Sequence, residues 1–487
     1  MPKKISVKAK ETRIEYQDPF RLYMNLSDKG NNISLLMESR SLNLQYGRES
    51  LIVPNPAVRI TGKKERFKIE ALTESGKRLV GLFSGQDFPY AEDYLQRGGV
   101  IEGEVRSIEK KDFDEKKRTG LQNISFMLKT IMQKMDCESG YAGLYGAFAY
   151  DFARNFYPAG ERPEREDGPD FVLFIPSSVY VFDDIRQKAV KIEFEFNGIS
   201  GRSDSPNKGF DFARKKGGAE YDMTDDEYLL KAGKIIRDIK EGRAMQCVLS
   251  RRAKTALQKH PVESYARLRD VNPSPYSFYY NLGDNEILYG ASPEMHICIN
   301  NKEIEIRPIA GTIARSGNPL EDARNRIALL MDEKETREHA MLVDLARHEL
   351  YALSETDSMH IKELFSIEEY PNLYHLVSGI KARLRGDTNA VDAMLVTLPA
   401  GTLCGAPKTE AMRMIDEYES SGRGFYGGAV GFLCFNGDCN LGITIRSVHV
   451  KGSESIVRAG AGIISLSDPY SELKETSLKM EKSLEVL

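Results

Sequence analysis

The chain contains 487 residues, of which 41% are hydrophobic and 29% charged, and it has a net charge of −4 and a pI near 6.1. These values predict a soluble globular chain of two to three domain equivalents and disfavour nucleic acid or a membrane surface as the main partner. No run of about 18 apolar residues is present, and the first ten residues lack the hydrophobic core of a signal peptide. The six cysteines show neither CxxC nor secreted-domain spacing, so we expect reduced thiols in a cytoplasmic protein.

The first part of the chain predicts short strands with few helices. Residues Ile33–Ser39 have the pattern of a buried strand that ends in a polar pair, and a helix is expected around Leu121–Met135. Between Asn197 and Tyr221 glycine, serine and charged residues replace any apolar period, which predicts a linker or an exposed loop. We therefore predict an N-terminal domain over residues 1–218 and a second domain over residues 219–487.

The second part opens with a predicted helix, followed by a strand. Thr224 and Glu227 have capping-box spacing, and apolar residues continue at helical spacing as far as Ile239. The segment MQCVLSRR (Met245–Arg252) then reads as a strand. Further along, apolar residues at helical spacing predict a helix with one buried side over Met331–Leu350.

Glycine-rich turns between apolar, β-branched runs mark the stretch from Pro399 to Lys479. No glycine loop there is followed by the Lys-Ser/Thr pair of a P-loop, which disfavours a triphosphate ligand. The groups that we expect to converge suit small carboxylates, because a guanidinium forks onto a carboxylate and clustered amides cradle an anion. They are Arg446, Tyr426, Lys479 and the backbone N–H groups of Gly460, Ala461 and Gly462.

Two pairs of glutamates predict a divalent cation. Glu472 and Glu475 share one helix face with Lys479, and Glu335 and Glu338 have the same spacing on the upstream helix. If the two helices face each other, the four carboxylates need a cation to remain ionised together. Oxygen ligands with water completing the shell are typical of Mg²⁺, although such pairs are also common on solvated helix faces.

Several long blocks in this order resemble those of the chorismate-utilising enzymes, and most closely those of anthranilate synthase large subunits. The resemblance implies an α/β fold of the α+β type, with two packed antiparallel sheets flanked by helices. It also implies Mg²⁺-dependent conversion of chorismate and ammonia to anthranilate and pyruvate in tryptophan biosynthesis. The chain has no recognisable glutaminase segment, so we expect a separate glutaminase subunit to supply ammonia. The blocks are RPIAGT (Arg307–Thr312), DEKETREHAMLVDLAR (Asp332–Arg347), PAGT…GAPK, YGGAVG, Ile445-Arg446, AGAGI and ExxETxxK.

The resemblance assigns roles to particular side chains. Glu294 of GASPE would protonate the leaving hydroxyl, His375 would relay protons beside the ring, and the Thr402 hydroxyl would bind substrate. Gln246 stands where relatives that add water carry a basic lysine, and glutamine cannot take a proton from water. Ala310 stands where relatives with a covalent step carry lysine. We therefore expect ammonia to attack ring carbon C2 directly, and the resemblance places Gln246, Ala310, Gly311 and Thr312 among the substrate-binding residues.

An inhibitor site is expected in the N-terminal part. Glu38 and Ser39 match the pair that helps to bind the feedback inhibitor tryptophan in the family, together with a segment that reads Pro275, Tyr276 and Ser277 here. Ser277 replaces the usual methionine, so one apolar contact is missing. The same residues are equally consistent with a strand end and a proline-rich turn.

Two departures from the family pattern leave alternatives open. Cys404 replaces the usual serine, and we interpret it as a packing residue; His348 and Glu349 replace the usual Asn-Asp. The nearest alternative is an enzyme that stops at 2-amino-2-deoxyisochorismate. Isochorismate or salicylate synthesis is disfavoured by Gln246, and a non-catalytic glutaminase-binding subunit is disfavoured by the glutamates and His375.

Overall fold

The computed structural model describes residues 4–40, 49–108, 115–159, 168–201, 204–370 and 373–487. Residues 46–48, which follow the predicted strand Ile33–Ser39, lie outside these ranges. Residues 202–203 of the predicted linker also lie outside them.

Twelve α-helices and two short 3-10 helices (Gly85–Asp87 and Tyr150–Asn155) are formed by the described residues. The α-helices are α1 (Pro19–Leu26), α2 (Glu74–Val80), α3 (Glu115–Arg118), α4 (Ser125–Lys134), α5 (Asp225–Lys240), α6 (Pro261–Val271), α7 (Pro319–Met331), α8 (Glu333–Leu353), α9 (Ala390–Thr397), α10 (Gly401–Cys404), α11 (Lys408–Tyr418) and α12 (Pro469–Leu484).

Strands account for most of the remaining described structure. Those of the first 218 residues are β1 (Ile5–Ile14), β2 (Ser34–Glu38), β3 (Glu49–Val53), β4 (Pro56–Lys63), β5 (Arg66–Ala71), β6 (Glu92–Arg97), β7 (Val100–Glu104), β8 (Met135–Asp136), β9 (Gly143–Phe148), β10 (Phe171–Pro176), β11 (Ser178–Asp183), β12 (Lys188–Phe196) and β13 (Ile199–Ser200). Those that follow are β14 (Glu220–Tyr221), β15 (Gln246–Ala256), β16 (Tyr276–Gly283), β17 (Glu286–Ser292), β18 (Met295–Asn300), β19 (Glu303–Ile306), β20 (Ile309–Ala314), β21 (His360–Glu369), β22 (Leu373–Arg383), β23 (Gly405–Ala406), β24 (Ala429–Cys434), β25 (Cys439–Ile443), β26 (Ser447–Lys451) and β27 (Glu454–Ile464).

These strands form two large sheets. The first has 14 strands in the order β14-β15-β27-β26-β17-β16-β2-β3-β11-β12-β1-β8, with β13 beside β12 and β23 beside β15. The second has 13 strands in the order β20-β22-β19-β18-β25-β24-β9-β10-β4-β5-β7-β6, with β21 beside β22. Every described strand pair except β1 with β8 is antiparallel, which confirms the predicted fold class. Strands from both sides of residue 218 join each sheet, and the boundary at that residue stays a prediction.

The core lies between the sheets. The largest cluster of buried apolar side chains includes Leu35 and Leu249 of the first sheet together with Ile60 and Ile297 of the second. A second cluster covers the other face of the first sheet, where Tyr265 of α6 and Met480 of α12 pack against it. Apolar burial of this kind drives the packing of α12 onto the sheet, and this packing places the last helix beside β27.

Local sequence signals set the helix boundaries near the site. The capping box of Thr224 and Glu227 begins α5 as predicted. The helix predicted over Met331–Leu350 corresponds to α8, which begins at Glu333 because Asp332 leaves the helical conformation and caps it by accepting from the Glu335 N–H. Among the described residues, no helix is both long and apolar enough to cross a lipid bilayer.

Candidate active site

Gln246 begins β15 and is almost completely buried against the metal-predicted helix α8. Its amide nitrogen Nε2 donates to Glu338 Oε1 at 2.7 Å, and this bond fixes the orientation of the amide. The carbonyl oxygen Oε1 of Gln246 is buried without a hydrogen-bond partner among the described residues. Gln246 therefore presents a fixed hydrogen-bond acceptor beside the predicted carboxylates.

The four glutamates come from α8 and α12, which face each other as the sequence hypothesis required. Lys334 of α8 lies 3.5 Å from Glu472 of α12, and this ion pair links the two helices. Burial and neighbouring negative charge raise the pKa of Glu338 to about 7, and burial raises the pKa values of Glu335 and Glu472. The charge of Lys334 therefore offsets the burial of these carboxylates only in part.

The donor chemistry fits Mg²⁺, because all four predicted ligands are carboxylates and Glu472 Oε1, which faces Lys334 at 3.5 Å, makes no hydrogen bond with the described residues. In the described part of the chain, however, no three His, Cys, Asp or Glu side chains are close enough together to form a metal site. Lys334 and Lys479 occupy part of the space, since Lys479 lies 2.5 Å from Glu475. The magnesium site stays a prediction.

In the Gly460–Gly462 segment of β27, two backbone N–H groups point away from β15, rather than the three predicted. Ser250 and Val248 of β15 lie opposite Gly460 and Gly462. Both turn their peptide groups away from β27, since the Ser250 N–H donates to Glu419 and Val248 O accepts from Arg423. Facing residues of an antiparallel pair bond to each other or not at all, so Gly460 and Gly462 also point away from β15. Ala461, between them, directs its peptide group into the sheet.

Two cationic side chains and one phenol surround the edge of β27 that faces away from β15, which we call the open edge. Lys479 Nζ donates to Gly460 O at 3.0 Å. A Cβ atom added to Gly460 would lie 3.1 Å from the Tyr426 hydroxyl, so a larger residue at this position would press against that side chain. The Arg446 guanidinium makes no hydrogen bond or ion pair with the described residues, and burial lowers its pKa. Arg446 has a φ of 50°, a strained conformation for a non-glycine residue. An unpaired guanidinium held this way is suited to a ligand carboxylate.

Glu294 lies in the turn between β17 and β18, close to the short helix α10 that carries Thr402. The Thr402 hydroxyl donates to Glu294 Oε1 at 2.9 Å. Burial raises the pKa of Glu294 to about 8, and the Thr402 bond and the charge of Lys479 oppose this increase only partly. Glu294 therefore carries a proton at neutral pH, as the general-acid hypothesis requires.

His375 lies on β22 opposite Thr312 of β20, where Gly311 forms a bulge with a φ of +72°. Its Nδ1 lies 3.1 Å from Gly311 O and 2.9 Å from Thr312 Oγ1. Because a carbonyl oxygen can only accept, Nδ1 carries the proton and Nε2 keeps its lone pair. Burial, together with the charges of Arg446 and Lys479, lowers the pKa of His375, whereas the sequence hypothesis assumed a value near neutral. Ala310, one residue before the bulge, pairs with Leu376.

The residues predicted to bind an inhibitor line a separate pocket that opens to solvent. Glu38, at the end of β2, is bound by Arg269 at 2.6 Å and by the Tyr265 hydroxyl at 2.6 Å. Ser277 lies opposite Glu38 across the strand pair, and Phe278 adds an aromatic wall. The predicted lining residues found there are Glu38, Ser39, Pro275, Tyr276 and Ser277.

Two features escaped the sequence analysis. Glu349, one of the departures from the family pattern, forms a buried ion pair at 2.5 Å with Lys408 of the GAPK block. This contact joins α8 to α11, and no local sequence pattern pairs residues so far apart. Lys334, the cation between the helices, also escaped, although it lies next to Glu335 in the sequence. Cys404 is fully buried, and burial raises its thiol pKa to about 11, which agrees with a packing role.

A two-sheet α+β fold with a site lined by carboxylates, cations and a protonated glutamate is that of the chorismate-binding enzymes. Residues 89–485 match the family model for chorismate binding enzyme, and the chain belongs to this family. It is 33% identical to anthranilate synthase component 1 of Vibrio parahaemolyticus, over 96% of this chain and 90% of the relative. It is 30% identical to the Pseudomonas aeruginosa protein of that name, over 96% of this chain and 92% of the relative.

Solved structures agree with the fold. Anthranilate synthase component I from Streptococcus pneumoniae superposes with a TM-score of 0.71 at 29% identity, over 90% of this chain and 92% of that chain. The menaquinone-specific isochorismate synthase of Escherichia coli has a TM-score of 0.69 at 17% identity, over 100% of this chain and 96% of that chain, and shows the shared fold alone. The chain is therefore a chorismate-utilising enzyme homologous to component 1 of anthranilate synthases.

Proposed function

We propose that this enzyme converts chorismate and ammonia to anthranilate, pyruvate and water. The proposed reaction forms a C–N bond at ring carbon C2 and expels the C4 hydroxyl as water. It then removes the C2 proton and releases the side chain as pyruvate, which leaves an aromatic ring. The first stage needs a proton donor and the second a proton acceptor, and the site has one group suited to each.

The observation that carries the proposal is the fixed amide of Gln246. Its free Oε1 can accept a hydrogen bond from an N–H of ammonia, while the ammonia lone pair stays directed towards the ring. Water would have to lose a proton to attack, and an amide cannot take that proton. Ammonia attacks with its own lone pair, so a glutamine at this position favours amination over hydration.

Glu294 and His375 are the groups proposed to move protons. The protonated carboxyl of Glu294 would donate to the departing hydroxyl, and Thr402 would then stabilise the carboxylate that remains. His375 is neutral because its pKa is lowered, and its Nε2 would accept the C2 proton when the ring becomes aromatic. The two residues thus act as acid and base in successive stages.

Substrate carboxylates would be bound at the open edge of β27. Arg446 would form the charged contact, Tyr426 and Lys479 would donate hydrogen bonds, and the N–H groups of Gly460 and Gly462 would complete the cradle. Of the two charged groups in this set, Lys479 already pairs with Glu475, whereas Arg446 has no competing partner among the described residues. It is therefore the one we expect to contribute most to chorismate affinity.

Magnesium is proposed as the cofactor, held by Glu335, Glu338, Glu472 and Glu475. When bound, it would neutralise these carboxylates and the substrate carboxylate that approaches them. Lys334 would then have to move from Glu472. The test is calorimetric titration with MgCl₂: wild type should bind one ion, and the E472Q variant should bind it at least tenfold more weakly. Equal affinities would contradict the assignment.

Activity is tested by incubating the purified chain with chorismate, MgCl₂ and an ammonium salt at mildly alkaline pH. Anthranilate fluorescence together with pyruvate release is the expected result, and the E294Q variant is the inactive control. An aminated product that keeps its enolpyruvyl group would restrict the function to the first stage. A hydroxylated product would contradict the role of Gln246, and unchanged chorismate would contradict the catalytic proposal.

We also propose that a separate glutaminase subunit supplies the ammonia. The relatives are named as component 1 of their synthases, which supports a second component here. Adding such a component with glutamine should replace the ammonium salt in the assay. If glutamine remains unused while free ammonium is used, the partner assignment fails and the chemistry stands.

Feedback inhibition by L-tryptophan is proposed for the pocket beside Glu38. The pocket combines an apolar wall with the side chain of Glu49, as an aromatic amino acid requires, and its strand β16 pairs with β17, which leads to Glu294. L-Tryptophan should bind to wild type by calorimetry and should lower activity. The M37W variant would narrow the pocket from its apolar wall and should bind at least tenfold more weakly while remaining active. Wild type that fails to bind L-tryptophan would contradict the proposal.

A further inference from the structure

One buried guanidinium touches three of the elements that surround the candidate site. Arg423 lies in the loop after α11 and is 5% exposed. Its Nη1 donates to Leu403 O, and its Nη2 donates to Val248 O at 2.9 Å. The guanidinium carbon also lies 5.7 Å from the centre of the Tyr426 ring, within the range of a cation–π contact.

Each of these contacts leads directly to a proposed substrate or catalytic group. Leu403 follows Thr402, which donates to Glu294. Val248 lies opposite Gly462, whose amide faces the open edge of β27. The third contact is with the Tyr426 ring itself. Arg423 is therefore linked to α10 through Leu403, to the Gly460–Gly462 segment through Val248, and to Tyr426 directly.

Glu419 holds this guanidinium in one orientation. It accepts from Arg423 Nε at 3.0 Å and from Nη2 at 2.6 Å, which is the two-pronged geometry that fixes an arginine most firmly. The same carboxylate accepts from the N–H and the hydroxyl of Ser250 at 2.9 and 2.6 Å, and Arg458 lies 3.4 Å away. Ser250 faces Gly460, so Glu419 ties the other glycine of this segment to the same network.

We propose that Arg423 and Glu419 are positioning residues that set the distances between α10, which carries Thr402, the Gly460–Gly462 segment of β27, and Tyr426. This inference rests on the proposed function of those three elements. Neither residue needs to touch substrate, since Arg423 acts through two carbonyl oxygens and a ring. A lysine at position 423 keeps the charge but lacks the planar fork that reaches Leu403 O, Val248 O and Glu419 together.

The pair formed by Arg154 and Asp416 provides a matched control. Arg154 is partly buried, and its two Nη atoms bind Asp416 at 2.9 and 2.6 Å. Asp416 lies on α11, three residues before Glu419, so both pairs connect to the same part of the fold. Asp416 and the other carboxylate bound by Arg154, Asp151, both lie outside the candidate site.

The experiment compares wild type with the R423K, E419Q and R154K variants. Chorismate affinity and stoichiometry are measured by calorimetry in the presence of MgCl₂, kcat and KM by anthranilate formation, and stability by urea unfolding. For R423K we expect kcat/KM to fall about 100-fold, the loss that follows a displacement of ~1 Å at reacting groups, and Kd to rise at full stoichiometry. For E419Q we expect kcat/KM to fall about tenfold. For R154K we expect kcat/KM to stay within about threefold of wild type despite a similar loss of stability.

The outcomes separate positioning from folding. A variant that is merely unstable binds at reduced stoichiometry with an unchanged Kd, whereas a displaced site binds at full stoichiometry with a raised Kd. R423K and E419Q with wild-type Kd and kcat/KM would overturn the proposal, as would R154K losing as much activity as R423K. If R423K does not fold, E419Q decides the question by the same criteria. Wild type that binds chorismate but forms no anthranilate would refute the proposed function, and the Kd comparison would still test the positioning role.

Discussion

Replacing Thr402 by valine should move the alkaline limit of activity upward. The Thr402 hydroxyl donates to Glu294 Oε1 at 2.9 Å and so stabilises the ionised carboxylate. Without this bond the carboxylate is harder to form, and the pKa of Glu294 rises further above its value of about 8. A hydrogen bond to a charged group contributes about 1.5–3 kcal/mol, and one pH unit corresponds to about 1.36 kcal/mol. We therefore expect the limit to move by roughly one to two pH units.

The assay measures kcat/KM for chorismate between pH 6.5 and 10, with total ammonium adjusted to keep free ammonia constant. For wild type we expect kcat/KM to fall tenfold per pH unit above about pH 8, because only protonated Glu294 can act as the acid. The T402S variant keeps the donor and should retain the wild-type limit. T402V should be slower at pH 7 but should keep its activity to higher pH.

An unchanged or lower limit in T402V would refute this account of Glu294. The E294Q variant supplies the baseline, since loss of a general acid lowers kcat by about 10²–10⁴-fold. If E294Q shows the same alkaline limit as wild type at measurable rates, another group is responsible for the titration.

Stability gives an independent measure of the same ionisation. Because burial raises the pKa of Glu294 above its usual value, the folded state is favoured most below about pH 4.5 and loses this contribution as pH rises to about 8. E294Q cannot ionise and should therefore be more stable than wild type above pH 8, by up to ~4 kcal/mol. Urea unfolding at pH 6 and pH 9 measures the difference, and an equal difference at both values would contradict the raised pKa.

Three further substitutions test the remaining contacts. Q246L should lower kcat/KM for ammonia about 10- to 100-fold, because the acceptor is lost and Glu338 loses its donor; unchanged ammonia kinetics would exclude the proposed contact. R446K should raise KM for chorismate at least tenfold while the Tm stays within about 2 °C, because the guanidinium has no described partner to lose; an unaltered KM would contradict carboxylate binding. E349Q should lower the free energy of unfolding by about 3–5 kcal/mol, because Lys408 keeps a buried charge without its partner; a loss below 1 kcal/mol in urea would contradict a buried ion pair.

Local patterns were sufficient to predict much of the fold and the chemistry. Capping-box spacing placed the start of α5, and helical periodicity placed the glutamate pairs on α8 and α12. The break at Asp332 was missed, because apolar periodicity continues across it and only the cap interrupts the helix. The resemblance to the family blocks predicted an acid at Glu294 and an amide that cannot act as a base at Gln246.

The sequence by itself determined which groups are available: an amide in place of a base at Gln246, a carboxyl at Glu294, an imidazole at His375 and glycines at the edge of β27. Tertiary structure alone decided their states. Burial raises one pKa and lowers another, and it depends on elements far apart in the chain. Likewise, the pairing of β15 with β27 decides that the N–H groups of Gly460 and Gly462 point away from β15, because strand register is set by distant partners rather than by local sequence.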